Sequence, residues 1–190
     1  TALKYFCEEV PEYHIVAAGS LLGVAIHRER YSFPVGKVES LTLYPLDFEE
    51  YLWARSRQGL AEEITAGYRA MEPLPEALHQ EALQMYREYL LVGGMPACIN
   101  AFCVRKSFLD VSNVQSGILD NYIADMAKYS SHSDSVKIRA CYQSIPAQLA
   151  KENRKFQYKV VQKGGSAAIF GASIEWLNLA GGVLKCQRIN

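Results

Sequence analysis

A chain of 190 residues can build one large domain or two small ones. Its 49% hydrophobic, 21% charged and 11% aromatic residues exclude a disordered, fibrous or collagenous protein. Formal net charge is zero, yet residues 1–127 hold 10 basic against 17 acidic side chains, a net of −7, and residues 128–190 hold 10 against 3, a net of +7.

Leu3, Phe6, Cys7 and Val10 repeat at helical spacing up to Pro11, which predicts a short opening helix. His14-Ile15-Val16-Ala17-Ala18-Gly19-Ser20 is a short apolar run with β-branched residues and a polar end. It predicts a buried parallel strand. Leu21–Ile26 is compatible with a short helix, and a basic, turn-like stretch follows through Arg28, Arg30, Pro34 and Gly36. Val38–Tyr44 alternates apolar and polar residues with period two, predicting a half-exposed strand that ends at Pro45. Asp47 then starts a helix, with Glu49 and Glu50 near its positive end.

The middle of the chain reads as helical. Phe48, Tyr51, Leu52, Leu60, Ile64 and Tyr68 fit one apolar face. Pro73 and Pro75 precede a long helix carrying Leu78, Leu83, Tyr86 and Leu90. Gly93-Gly94-Met95-Pro96 is a helix stop followed by a restart. A further helix holds Val114, Ile118, Leu119, Tyr122, Ile123 and Met126, and the charge changes sign at its end. Tyr129–Ser133 has the composition of a flexible polar linker.

From Ser133 onward the pattern is that of a small helix-turn-helix module with a wing. Val136, Ile138, Cys141, Ile145 and Leu149 predict one or two helices across Pro146, and Phe156–Val161 predicts a strand or a turn. Ala167–Leu179 is a third helix with Ile169, Ile174, Trp176 and Leu177 on its apolar side, stopped by Gly181-Gly182. Val183–Gln187 begins a strand. Helices, a final strand and positive charge are the features of a winged helix, a fold that also serves as a protein-interaction domain. Lys151, Arg154, Lys155, Lys159, Lys163, Lys185 and Arg188 form its candidate phosphate-contacting set for nucleic acid.

Catalytic signatures are few. There is no phosphate loop, no His-Glu-x-x-His helix and no Gly-x-Ser-x-Gly elbow. Glu8/Glu9, Glu49/Glu50 and Glu62/Glu63 are adjacent in helices, so the members of each pair diverge by about 100° and cannot share a substrate proton. His14, His27, His79 and His132 fall in different elements without ligand spacing, and no metal site is expected. Cys7, Cys98, Cys103, Cys141 and Cys186 are odd in number and lack a Cys-x-x-Cys pair, which predicts buried reduced thiols. No run of about 18 apolar residues and no secretory leader are visible, so the expected setting is cytoplasmic and without membrane.

Several blocks in order carry a family resemblance. Leu3–Phe6, Pro11–Leu22, Phe33–Val38 and Leu43–Leu52, then Tyr89-Leu90 with Gly93–Pro96, Tyr122–Tyr129, Ser144–Pro146 with Leu149, and Lys155-Phe156 resemble a large group of prokaryotic AAA-type P-loop ATPases. The resemblance implies an α/β class: a partial P-loop sheet followed by mostly α structure and a winged-helix-like module. The division it implies is 1–55 as the end of the ATPase core, 56–130 as a helical lid or linker, and 131–190 as the winged helix.

In that family the phosphate loop and the acidic magnesium-binding strand precede the segment similar to Thr1–Val10, and a nuclease-like region follows, so the chain resembles a fragment. The resemblance puts Ser20 at the sensor position beside the γ-phosphate. It puts Lys37 where relatives carry an arginine that acts in trans, with Arg28 and Arg30 as alternative cations, although lysine lacks arginine's planar fork. ATP and magnesium are implied for the parent protein, an ATPase and homo-oligomer, with neither bound tightly by this fragment, which is expected to be inactive alone. DNA or a protein is the implied partner; the alternative is a binding module without nucleotide chemistry, or a basic end that docks on the acidic residues 1–127.

Overall fold

The described residues of this computed structural model are 2–19, 37, 39, 41–153 and 155–186, and their regular structure is helical throughout. In chain order the helices are α1 (Ala2–Glu9), α2 (Phe48–Ala54), α3 (Gln58–Ala70), α4 (Glu76–Val92), α5 (Pro96–Arg105), α6 (Phe108–Lys128), α7 (His132–Leu149), α8 (Tyr158–Val161) and α9 (Ala167–Leu179). They divide into two compact units, one of residues 41–120 and one of residues 1–40 with 121–190.

The expected α/β class is overturned, because no strand occurs among the described residues. A strand needs a neighbouring ladder for its N–H and C=O groups. His14–Gly19 finds none, nor does the described part of Val38–Tyr44. Val16, Leu41 and Leu43 instead stand 95%, 97% and 98% exposed. Their β-branched and alternating side chains express a propensity that pairing does not complete. At the other end, residues 183–186 are irregular, so the wing strand is absent there too, while Gln187 lies outside the described residues. Phe156–Val161 contributes a helical turn, α8, rather than a strand.

The unit of residues 41–120 starts from a well-made helix terminus. Asp47 accepts a hydrogen bond from the Glu50 amide at 2.9 Å, and the Glu50 carboxylate accepts one from the Asp47 amide at 2.9 Å. This reciprocal cap satisfies two amides that the first turn leaves free, worth about 1 kcal/mol. The helix is short: Ser56, at φ +57°, turns the chain into α3. The single face expected through Tyr68 is therefore two helices, and Tyr68 is exposed.

In α4 the row packed on the core is Leu78, Ala82, Met85, Tyr89 and Val92, of which Met85 and Val92 are buried and the others half-buried. The expected row, Leu78, Leu83, Tyr86 and Leu90, has the wrong phase beyond its first member. Leu90 and Leu91 are exposed, whereas Met85 and Val92 are buried. The inward row follows a 4-3-4-3 spacing, which keeps side chains on one stripe. Tyr51, Leu52, Leu60, Ile99, Phe102 and Val111 complete this core.

Gly93-Gly94-Met95-Pro96 joins α4 to α5 as expected, and the structure supplies the reason. Gly93 lies at φ +74° and ψ 174°, a region essentially confined to glycine, and Pro96 opens α5. A β-carbon on residue 94 would sit 2.2 Å from the Leu46 carbonyl oxygen. Around that contact the Leu46 amide donates to the Gly94 carbonyl at 2.8 Å, and the Tyr89 hydroxyl donates to the Leu46 carbonyl at 2.8 Å. Gln115 of α6 donates to the carbonyls of Leu91 and Val92 at 2.9 and 3.1 Å, occupying acceptors that the end of α4 leaves free.

A charged cluster bridges α2 and α4. The Arg55 guanidinium donates to the Tyr51 hydroxyl and the Glu88 carboxylate, both at 2.7 Å, and lies 4.8 Å from the Phe102 ring centre. Burial pushes the Tyr51 phenol up to about 12. Burial also works against the Arg55 charge, but the bonds to Glu88 and Tyr51 outweigh it and raise the guanidinium above its ordinary value.

Glycine substitutions should divide by sign. Gly94→Ala is expected to destabilise the chain by about 1–3 kcal/mol through overpacking against Leu46. Gly117→Ala, in α6 with open space around its α-carbon, is expected to stabilise it by about 0.5–1 kcal/mol. Urea midpoints compare them directly. A Gly94→Ala chain as stable as the parent would refute the close-approach account.

Candidate functional site

The basic end of the chain forms a three-helix arrangement around one core. Met126, Ile138, Cys141, Phe170, Ile174 and Leu177 are buried together, with Tyr122, Tyr142, Ile145, Phe156, Tyr158, Val161, Trp176 and Val183 packed around them. The expected polar linker at 129–133 is only a short corner. There Ser131 caps α7, its hydroxyl accepting from the Asp134 amide at 3.2 Å. α7 then continues through Pro146 as one helix.

Two devices set the path from α7 to α9. Gln148, buried at the end of α7, accepts from the Gln157 amide at 2.6 Å and donates to the Ser144 hydroxyl at 3.1 Å. Ser144 in turn donates to the Cys141 carbonyl at 2.7 Å. This chain of bonds fixes the segment that enters α8. Between α8 and α9, Gly164 takes φ +79°, and a β-carbon on Gly165 would lie 2.2 Å from the Tyr158 carbonyl oxygen. A short helix, a glycine turn and a longer helix follow one another here.

Phe170, Ser173, Ile174 and Leu177 are the buried residues of α9. Ala168, Ala172, Glu175 and Leu179 make a row on its exposed side, and Ile169, expected on the apolar side, is 46% exposed. Glu175 is the helix's one charged residue, and Lys185 pairs with it. The row contains no Arg, Lys, Asn or Gln of the kind that reads base edges in a major groove.

Of the expected phosphate-contacting set, Lys151, Lys155, Lys159, Lys163 and Lys185 are exposed, while Arg154 and Arg188 lie outside the described residues. Lys151 and Lys155 belong to the α7–α8 connection, Lys159 to α8 and Lys163 to the turn before α9. Lys185 differs from the others in its ion pair with Glu175.

Most nucleotide-linked positions fall among residues that the structure does not describe. Ser20, Arg28, Arg30, the Leu21–Ile26 segment and His27 lie outside the described residues. Lys37 is described and exposed, and it pairs with the Glu8 carboxylate, whose pKa this hydrogen bond lowers. Among the described residues no group of three or more His, Cys, Asp or Glu side chains is placed to hold a metal ion, and no helix is long and apolar enough to cross a membrane.

All five cysteines are free. Cys98 and Cys141 are the buried thiols that the sequence led us to expect, whereas Cys103 is half-buried and Cys7 and Cys186 are exposed. Burial pushes Cys141 up to about 11 and raises Cys98 as well.

Sequence reasoning missed the exposed row of α9 and the Tyr51–Arg55–Glu88 cluster. The first had a readable signal, a 13-residue helix with one charge. The second had half of one: Tyr51 and Arg55 are four apart, but Glu88 joins them from another helix.

Over residues 83–190 the chain matches a family described as a domain of unknown function (DUF8612), and it belongs to that family. The match starts within α4 and includes both the Gly93–Pro96 junction and the three-helix end. Neither a curated protein nor a solved structure matches the chain.

Two outcomes follow from the thiols and from Gln148. Because the folded Cys141 holds its proton to a higher pH than an unfolded thiol, its contribution to stability is complete below about pH 8.5 and declines as pH rises towards 11. The thermal midpoint should therefore fall over this range, and less steeply in Cys141→Ala. Gln148→Leu should cost about 1–3 kcal/mol, since the Gln157 amide loses its acceptor. Thermal melts of each variant measure both.

Proposed function

We propose that the chain is a non-catalytic, helical region of an AAA-type ATP-dependent switch, and that its three-helix end is the module that engages a partner. The observation carrying this reading is the junction at Gly94. Leu43–Leu52 and Tyr89–Pro96 are separate blocks of the family resemblance, and they meet through the Leu46–Gly94 backbone bond and the Tyr89 hydroxyl.

In this reading nucleotide chemistry is supplied by a phosphate loop upstream, with ATP and magnesium bound there. Ser20 acts as the polar sensor. Lys37, engaged by Glu8, is a weaker candidate for a trans-acting cation than Arg28 or Arg30. The unit of residues 41–120 serves as a rigid body, held by its cap, its glycine junction and the Arg55 cluster. A homo-oligomer is the working assembly of the parent protein.

The partner of the basic end is nucleic acid or protein. Five exposed lysines suit phosphates, but the exposed row of α9 has no Arg, Lys, Asn or Gln for bidentate base contacts, which favours protein.

The coding sequence upstream of the Thr1 codon tests the nucleotide reading. A Gly-x-x-x-x-Gly-Lys-Ser/Thr segment followed by a strand ending in Asp-Glu is expected. In a protein that includes it, Ser20→Ala should lower ATP turnover at least tenfold while changing nucleotide affinity less than threefold. A start codon beside Thr1, or full turnover in Ser20→Ala, would overturn this reading.

A further inference from the structure

We propose that α6 couples the two units of the chain into one folding equilibrium, so that whatever stabilises one unit stabilises the other. The coupling belongs to the chain itself and holds with or without the ATPase reading. Through it, a partner bound at the basic end would also hold residues 41–120 folded.

The division between the units falls between Asp120 and Asn121, inside α6 and not in a loop. The helix crosses it without interruption, and its apolar residues pass from one core to the other within about one turn. Val111, Val114 and Ile118 pack in the core of residues 41–120, whereas Tyr122 and Met126 pack in the core of the basic end. Ile118 and Tyr122 are four residues apart, so no linker separates the two sets. The other passage of the chain between the units, at residues 40–41, lacks such continuity, for Leu41 is 97% exposed and outside any helix.

Helix energetics turn this continuity into coupling. The part of α6 that belongs to the basic end is only the eight residues 121–128, and isolated helices shorter than about 12–15 residues are marginal in water. In the helical pattern the amides of residues 121–124 donate to the carbonyls of residues 117–120, so unfolding of the unit of residues 41–120 removes their acceptors. Met126, 2% exposed, sits on this short piece. Its placement depends on upstream turns that Val111 anchors in the other core and that Gln115 ties to the carbonyls of Leu91 and Val92. The dependence is reciprocal, because linkage between two equilibria has the same size in each direction.

The two tryptophans report one unit each, Trp53 from α2 and Trp176 from α9. The test is urea unfolding of the full chain in the single-tryptophan variants Trp53→Phe and Trp176→Phe. In each, the fluorescence midpoint is expected to coincide with that of far-ultraviolet circular dichroism, which reports the helices of both units. Val111→Ala should lower the midpoint read at Trp176, and Ile138→Val the midpoint read at Trp53, each by the shift it causes in circular dichroism. Gly117→Pro, which interrupts α6 near the division, should abolish both cross-effects and split the transition in two.

Separate fluorescence and circular-dichroism midpoints with α6 intact would overturn the proposal, as would a core substitution felt only in its own unit. So would cross-effects that survive Gly117→Pro in full, since α6 would then not be their carrier. If Gly117→Pro does not fold, Gly117→Ala carries the decision on α6. It should raise the midpoints read at both tryptophans, and a rise confined to Trp53 would count against the coupling.

Discussion

The missing β-carbon at residue 94 is the constraint on which the helical unit of residues 41–120 depends. It lets the Gly94 backbone lie against the Leu46 carbonyl, where any side chain would collide. The bonds from the Leu46 amide and the Tyr89 hydroxyl then fix the chain before α2 to the end of α4. That placement sets Phe48, Tyr51, Tyr86 and Tyr89 into one aromatic group, with ring centres 5.2–6.5 Å apart. Tyr51, fully buried, then needs a polar partner for its hydroxyl, and Arg55 with Glu88 provides it. Aromatic packing and the charged cluster are built on that close backbone approach, beside a cap that Asp47 and Glu50 make locally.

The basic end uses the same physics. A second glycine, Gly165, admits a close backbone approach to Tyr158, and a buried amide, Gln148, replaces backbone pairing where the chain leaves α7. These features orient α9 so that four of its residues enter the core and the other side is left in solvent. A helix with almost no charge on its solvent side has spare apolar surface. The proposal of partner binding, rather than chemistry, for this end starts from that surface.

Much of the helical content was legible because it rests on local rules. Asp47 as a cap, the Gly93–Pro96 break and the extent Ala167–Leu179 all depend on residues within a turn or two of each other. The strands at His14–Ser20, Val38–Tyr44 and Val183–Gln187 were misread in their described parts because strand formation depends on a distant partner that no local pattern reveals. The phase of α4 was misread for a related reason. Leu83, Tyr86 and Leu90 are as apolar as Ala82, Met85 and Tyr89, and only the surrounding helices choose between the two rows. Of the candidate site, the lysines were legible as charge, but the absence of Arg, Lys, Asn and Gln from the outward row emerged only with the orientation of α9.

The sequence alone determined where several helices start and stop, among them the cap at Asp47 and the break at Gly93–Pro96, which half of the chain is acidic and which basic, and that no familiar catalytic signature is present. These properties follow from covalent order: a cap acts on the next turn, a proline on its own φ, and net charge is a sum. Tertiary structure alone decided that the apolar runs near residues 15 and 42 stay unpaired, that Glu88 reaches Arg55 and Tyr51, and that Ala168 and Ala172 face outward. Each of these depends on groups far apart in sequence meeting, or failing to meet, in space.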